Sequence, residues 1–277
     1  MKQFTARHPW AILAAGAAIQ ILTGLPAAWG VFQQPVMDEF SLTEDGAGYA
    51  FGILIAAFGV GCVIGGFLQD KKGPRCAALW GTGLLCGGFF AAALLPGEKG
   101  AWFWAVFSIP AGLGTAFLYP SIQSCAQKWY AGRKGLATGV IGGAVGLSGA
   151  FLTGFVRTAL KGIGPVQGIR GAFWALGALT LPVYLVGSAL LTDPPPAKQK
   201  PEEQGRGKGT PALDLAPLQM LRTKQYWLCA GAVCCSTPAV LLFSPIILKL
   251  GMERGLDEGA ALWSLSLIHI SEPTRRR

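Results

Sequence analysis

Residues 49–75 read YAFGILIAAFGVGCVIGGFLQDKKGPR, an uncharged run of about 20 residues followed by a short charged loop. A helix of about 20 apolar residues is long enough to cross the roughly 30 Å hydrocarbon core of a bilayer. Lipid offers the backbone no hydrogen-bond partners, so an apolar run of this length must be helical and must end where charges appear, here at Asp70. The stretch therefore predicts a membrane-spanning helix with a charged loop at its end.

The composition of the chain indicates a protein with many such helices. Of its 277 residues, 52% are hydrophobic and only 13% are charged, whereas soluble domains carry about 25% charged residues. The net charge of +9 does not indicate a nucleic-acid partner, because the basic residues lie in short clusters between apolar runs, where they set topology. The expected partner is therefore the lipid bilayer.

Residue types that carry enzyme chemistry do not cluster in the apolar runs. The two histidines lie near the chain ends, almost all Asp and Glu residues lie in loops, and the seven cysteines show no C-x-x-C spacing. A membrane-embedded hydrolase or metalloenzyme needs paired acids or histidine clusters within its spans. We therefore expect no enzyme, no metal site and no cofactor, and we interpret the cysteines as small packing residues.

The apolar runs predict an all-α bundle of six helices in residues 1–191, with spans at about 9–32, 49–69, 77–95, 101–125, 135–155 and 172–191. The Gln33-Gln34-Pro35 step is expected to end span 1. Residues 192–225 are rich in Pro and Lys, which is typical of a solvated linker loop, expected here to be cytoplasmic. Residues 226–265 then predict a seventh span and part of an eighth, the start of a C-terminal bundle.

The distribution of basic residues predicts a cytoplasmic N-terminus. With that orientation the inner segments hold 14 Lys and Arg residues and the outer segments hold 6. Cytoplasmic loops of multi-pass proteins carry the excess of Lys and Arg. We therefore expect a multi-pass protein of the cell (inner) membrane.

Residues 66–75, GFLQDKKGPR, resemble the G-x-L-x-D-[RK]-x-G-x-[RK] signature between helices 2 and 3 of the major facilitator superfamily. The resemblance implies a transporter of twelve helices in two bundles, in which the signature glycines allow a tight turn. It also implies that the signature carboxylate faces the positive end of a neighbouring helix and holds an inner gate shut. The gate residues assigned in this way, together with the basic loop after span 4, are Gly66, Asp70, Lys71, Gly73, Arg75 and Arg133. The alternative is that the loop serves only as a basic topology signal.

Three further segments resemble the branch of that superfamily that holds the oxalate:formate antiporter and the monocarboxylate transporters. They are residues 112–120, residues 128–139 and the sequence AWGVF at 28–32 with Pro35 after it. The resemblance implies alternating-access transport of small organic anions, mono- or dicarboxylates, by a protein that we expect to be monomeric. The alternatives are a proton-coupled symporter of another small metabolite and a membrane fragment that does not transport.

Polar side chains inside the spans are candidates for the substrate path, because they are costly in lipid unless they face a cavity or another helix. An interhelical hydrogen bond or an interface anchor is the alternative for each. Tyr119 and Gln123 are four residues apart and so share a helix face. Small-xxx-small spacing in spans 2 and 5 predicts close helix packing at their glycines. The substrate-path candidates are Gln20, Trp29, Tyr49, Tyr119 and Gln123.

The last residues, SLIHISEPTRRR at 266–277, resemble the peptide obtained when a sequencing-library adapter is translated in frame. They interrupt the run that should form span 8. We therefore expect a non-native tail on a C-terminally truncated chain; the alternative is a short hydrophilic tail that belongs to the protein.

Overall fold

The computed structural model describes residues 9–161, 168–194 and 217–236. Throughout these ranges the regular secondary structure is helical, which confirms the all-α prediction. Six helical segments are long and apolar enough to cross a membrane, and we number them as spans 1 to 6: Pro9–Phe40, Glu44–Lys72, Pro74–Leu94, Gly100–Trp129, Ala131–Leu160 and Gly168–Leu190. A short helix, Pro217–Met220, lies within the predicted linker, and residues 224–236 are helical at the predicted start of span 7. The rest of span 7, the partial span 8 and the C-terminal tail lie outside the described residues.

Span 1 is longer than the sequence indicated. It consists of two helices, Pro9–Thr23 and Leu25–Phe40, so the prediction that Gln33-Gln34-Pro35 ends the span is wrong. Proline costs a helix one hydrogen bond, but burial on both sides of this step outweighs the loss. Val36 is fully buried, and the ring of Phe40 lies 4.9 Å from that of Phe103. The span ends instead at Ser41, which adopts the left-handed conformation.

Span 2 begins and ends where its local sequence dictates. The Thr43 side chain caps the helix by accepting a hydrogen bond of 3.1 Å from the Gly46 amide. Acidic residues occupy its first turn, and Lys71 and Lys72 occupy its last, so both ends complement the helix dipole. Gly73 then turns the chain into span 3 with a φ of 85° and a ψ of 165°, a conformation open essentially only to glycine.

Aromatic rings form the core at one end of the bundle. Phe107 of span 4 lies 5.0 Å from Phe173 of span 6 and 5.9 Å from Phe89 of span 3, measured between ring centroids. Trp29 of span 1 joins them at 6.5 Å from Phe107. Ring pairs at these distances stabilise packing beyond the area that they bury, so the cluster ties four spans together.

Small residues set the helix contacts of span 2 and span 4. A Cβ added at Gly61 would lie 2.6 Å from the Cβ of Ala116, and one at Gly65 would lie 2.9 Å from the ring of Phe117. Real Cβ atoms do not approach so closely, so the two backbones meet only because these side chains are absent. The prediction of close packing at the span 2 glycines is confirmed.

The glycines of span 5 behave differently. Gly135, Gly139 and Gly143 have no neighbouring atom within 4 Å of an added Cβ, so the prediction that they pack against a helix is wrong for the described bundle. They lie on an outward face, where Leu136 and Val140 are also exposed. Span 2 likewise turns most of its surface outward, with only 17% of its apolar window buried against 56% for span 1, span 3 and span 4.

Candidate functional site

The C-terminal half of span 4 carries a polar stripe on one face. Tyr119, Gln123 and Gln127 are spaced by four residues and therefore lie one above the other on the helix, and all three are half-buried. On one side the ring of Phe58 in span 2 lies 6.5 Å from that of Tyr119. On the other side Gln127 Nε2 donates a hydrogen bond of 3.0 Å to Thr138 Oγ1 in span 5. The predicted pair Tyr119 and Gln123 thus lies on a face of span 4 that is flanked by span 2 and span 5.

Gln20 of span 1 is buried and holds an unused hydrogen-bond donor. Its side chain is 1% exposed, and its Nε2 atom has no partner among the described residues. A Cβ added at Gly16, one turn earlier on the same face, would lie 2.7 Å from Ile122 of span 4 and 3.0 Å from Ile141 of span 5. Gln20 is therefore directed toward these two helices. A buried polar atom without a partner costs about 1–3 kcal/mol, so Gln20 is a candidate for binding a group that the described bundle does not supply.

The structure does not bring Trp29 and Tyr49 together with this stripe. Trp29 is 2% exposed and packs within the aromatic core, with Phe51 5.8 Å away. Tyr49 is 64% exposed near the start of span 2, edge-on to Trp104 at 6.2 Å. Their assignment to the substrate path stays a prediction.

The signature loop adopts the tight turn that the sequence predicts. Gly73 has the positive φ that the turn requires. Asp70, Lys71 and Arg75 are exposed, and no described residue pairs with the Asp70 carboxylate. The partner that the gate hypothesis requires for Asp70 is therefore not found in the described part of the chain.

Two other residues of the predicted gate set also lie in the open. A Cβ at Gly66 would meet nothing within 4 Å. Arg133 is exposed on a short 3-10 turn, Ala131–Arg133, at the start of span 5. Their role in the gate stays a prediction.

Sequence reasoning missed a clamp between the ends of span 4 and span 6. Lys128 Nζ lies 2.9 Å from Asp193 Oδ1, and Trp129 Nε1 donates a hydrogen bond of 2.6 Å to the Thr192 carbonyl. Asp193 also borders the signature loop, since its Oδ2 atom would lie 4.0 Å from a Cβ on Gly73. The only signal in the sequence is that Asp193 is the first charged residue after span 6 and Lys128 is the first after the core of span 4.

A second ion pair joins the C-terminal end of span 1 to the N-terminal end of span 6. Arg170 Nε lies 2.8 Å from Glu39 Oε1, and both side chains are about one-third exposed. Between the two ends, span 6 makes buried polar contacts, among them a hydrogen bond of 3.3 Å shared by Thr23 Oγ1 and Tyr184 Oη. Span 6 is thus held by polar contacts along its whole length.

The cysteines inside the spans take part in this packing. Cys86 Sγ lies 3.5 Å from Thr180 Oγ1, and Cys125 Sγ donates to the Thr192 carbonyl at 3.4 Å. All seven cysteines are free. Within the described ranges, no group of three or more His, Cys, Asp or Glu side chains could hold a metal ion.

Curated relatives of this chain include two proteins whose names specify carboxylates. The oxalate:formate antiporter of Oxalobacter formigenes is 23% identical over 249 residues, which cover 89% of this chain and 56% of the relative. Monocarboxylate transporter 9 of Mus musculus is 28% identical over 188 residues, which cover 65% of this chain and 35% of the relative. The chain spans about half the length of the oxalate:formate antiporter and of two other curated relatives.

Among solved structures, the chain is similar to the crystal structure of a D-xylose-proton symporter. The TM-score is 0.59 at 15% sequence identity, and the match covers 95% of this chain and 66% of the other. At this identity the match establishes the fold alone, which is that of the bundle predicted from the signature loop.

The family itself is identified by a match along almost the whole chain. Residues 11–271 match the Major Facilitator Superfamily. The family and the names of the relatives are those of membrane transporters, which confirms that the chain is not an enzyme. This multi-pass membrane chain therefore belongs to the major facilitator superfamily.

Proposed function

We propose that the whole protein is a secondary transporter of small organic anions, mono- or dicarboxylates, that works by alternating access. The observation that carries the proposal is the likeness to the oxalate:formate antiporter over 89% of this chain. The likeness to monocarboxylate transporter 9 supports the same class of substrate.

The polar groups of the described bundle suit hydrogen bonds to a carboxylate. Gln20 Nε2 is an unused amide donor, and Tyr119 and Gln123 add a phenol and a second amide on the face of span 4. Amide and hydroxyl donors bind carboxylate oxygens without placing another charge in lipid. We assign these three residues to the substrate path of the whole protein.

These donors alone do not neutralise an anion. In span 1 to span 6 every Lys and Arg lies near a helix end, and an unpaired charge in a low-dielectric interior is very costly. The proposal therefore requires a basic residue at mid-membrane in a second bundle of the whole protein. A whole-protein sequence without such a residue would contradict the anionic substrate.

Asp70 and its loop bias the inner gate in this proposal, and the protein works as a monomer in the cell (inner) membrane with its N-terminus inside. A single cysteine introduced in place of Glu44 should then react with an impermeant thiol reagent from outside, and one in place of Lys208 should not. The reverse pattern would overturn the orientation and would place the signature loop on the outer face.

Counterflow in proteoliposomes tests the substrate class. The whole protein, reconstituted with unlabelled oxalate or formate inside, should accumulate labelled oxalate, formate or lactate from outside. The 277-residue chain, prepared in the same way, is the control and should accumulate none. Unlabelled D-xylose added outside tests the selectivity, because a neutral sugar should not compete with the labelled carboxylate. Absence of carboxylate exchange by correctly folded whole protein would refute the proposal.

A proton-coupled symporter of another small metabolite is the second candidate, since the solved structure that shares this fold is titled a proton symporter. The two are distinguished by a protonophore. Exchange of one carboxylate for another continues when the proton gradient is removed, whereas concentrative symport stops.

A further inference from the structure

A groove of about 660 Å³ runs along one side of span 3, starting at the signature loop. Its lining includes Lys72, Arg75, Leu79, Trp80, Gly83 and Leu84. Arg75, Leu79 and Gly83 are four residues apart in span 3 and share one helix face, and Trp80 and Leu84 lie beside them. Lys72 adds a second cation from the end of span 2, across the turn at Gly73. The groove is therefore a single continuous strip, cationic at one end and apolar along the rest.

The length of the strip matches one leaflet of a bilayer. From Arg75 to Leu84 the helix rises nine residues, or about 14 Å at 1.5 Å per residue. Half of the hydrocarbon core is about 15 Å. With the charged loop at the membrane surface, the strip extends from the headgroup level to near the bilayer centre.

The cationic end has unused binding capacity. Lys72 and Arg75 are exposed, and neither has a hydrogen-bond or ion-pair partner among the described residues. Arg can contact two phosphate oxygens at once, and Lys supplies a compact second charge. Two unpaired cations at the mouth of one groove attract a single phosphate group.

The apolar end is open to an extended hydrocarbon chain. Trp80 is 60% exposed and Leu79 is 38% exposed, while Gly83 leaves a gap with nothing within 4 Å of an added Cβ. Trp80 lies about one and a half helical turns below Arg75, where an indole ring is well placed at the boundary between headgroups and hydrocarbon. This surface suits an acyl chain and offers nothing to a small soluble anion.

We propose that this groove binds one anionic glycerophospholipid. Its phosphate lies between Lys72 and Arg75, and one acyl chain runs past Leu79 and Trp80 into the gap at Gly83. Basic pockets at the ends of membrane helices bind such headgroups, and the apolar strip distinguishes a lipid from free phosphate. The site is separate from the polar stripe of span 4 and does not depend on which substrate is transported.

Two glycines of span 3 provide a matched test of the acyl-chain path. Gly83 and Gly87 are one turn apart, and a Cβ at either meets nothing within 4 Å, but only Gly83 lines the groove. Gly83→Leu should fill the gap and weaken lipid binding. Gly87→Leu adds the same side chain outside the groove and should leave binding unchanged.

Two lysines provide the matched test of the headgroup contact. Lys72→Gln removes a charge from the groove, whereas Lys71→Gln removes the same charge from the neighbouring position, which does not line it. Loss of one basic contact at a membrane surface corresponds to about a fivefold loss of affinity. Both positions are exposed at the helix end, so neither change should affect folding.

The measurement is native mass spectrometry of the 277-residue chain in detergent, with phosphatidylglycerol and phosphatidylcholine of identical acyl chains as probes. The expected result is one preferred phosphatidylglycerol per chain, with the preference reduced about fivefold by Lys72→Gln and also reduced by Gly83→Leu. The control variants Lys71→Gln and Gly87→Leu should retain it.

Two results would overturn the proposal. One is an unchanged preference in both Lys72→Gln and Gly83→Leu. The other is equal binding of glycerol phosphate, which carries the headgroup charge without acyl chains and would identify a simple anion site. If Gly83→Leu fails to fold by circular dichroism, the Lys72→Gln result against Lys71→Gln decides alone.

Discussion

Lys128 Nζ lies 2.9 Å from Asp193 Oδ1, and this ion pair fastens the end of span 4 to the end of span 6 beside the turn at Gly73. Neither partner is deeply buried, with side-chain exposures of 45% and 42%. The pair therefore connects two cytoplasmic ends of the proposed topology, next to the turn between span 2 and span 3, at a position where solvent still screens it.

The first prediction concerns the strength of this pair. Exposed ion pairs contribute about 0–1 kcal/mol, so Lys128→Gln, Asp193→Asn and the double variant should show a coupling free energy within that range. A double-mutant cycle on the free energy of unfolding in detergent measures it. A coupling above about 2 kcal/mol would mean that the pair is far less screened than its exposure indicates.

The second prediction compares two glycines of span 2. Gly61→Leu places a side chain where even a Cβ would lie 2.6 Å from that of Ala116, whereas Gly59→Leu places it in open space. Overpacking costs about 1–3 kcal/mol, so Gly61→Leu should lower the melting temperature in detergent and Gly59→Leu should not. Equal melting temperatures would contradict the close contact between span 2 and span 4.

The third prediction separates stability from binding at Gln20. Gln20→Met keeps the side-chain length and removes a buried donor that has no partner in the described bundle, so it should raise the stability of the chain by about 1–3 kcal/mol. Substrate exchange by the whole protein should fall, since the donor is lost. A drop in stability would show that Gln20 is a structural hydrogen-bonding residue.

Thr23, three residues further along span 1, provides the opposite control. Its hydroxyl donates to the Ile19 carbonyl at 2.6 Å and shares a hydrogen bond with Tyr184. Thr23→Val therefore leaves the buried Tyr184 hydroxyl without this partner and should lower stability.

The fourth prediction tests the gate role of Asp70. Asp70→Asn removes a charge that a neighbouring helix end would stabilise by about 0.3–2 kcal/mol, so the inner gate should open more readily and exchange by the whole protein should fall. Asp45→Asn is the control, because Asp45 lies at the other end of the same helix. Unchanged exchange with normal expression would mean that the loop serves only as a topology signal.

The helices and the family could be predicted from local sequence because the bilayer core offers the backbone no hydrogen-bond partners. An uncharged run of about 20 residues has no alternative to a helix in lipid, and the glycine and charge spacing of residues 66–75 needs no distant contact to be recognised. The number of spans in the described part and the turn at Gly73 follow from such local rules.

Contacts between distant residues determined the rest. Span 1 continues past Pro35 because Phe40 packs on Phe103, and no pattern around Pro35 contains that contact. Gly61 is tightly packed while Gly139 meets nothing, although both lie in small-xxx-small spacing. Lys128 meets Asp193 across 65 residues of sequence. Helix periodicity specifies which residues share a face, but the neighbour that covers that face depends on how the spans assemble.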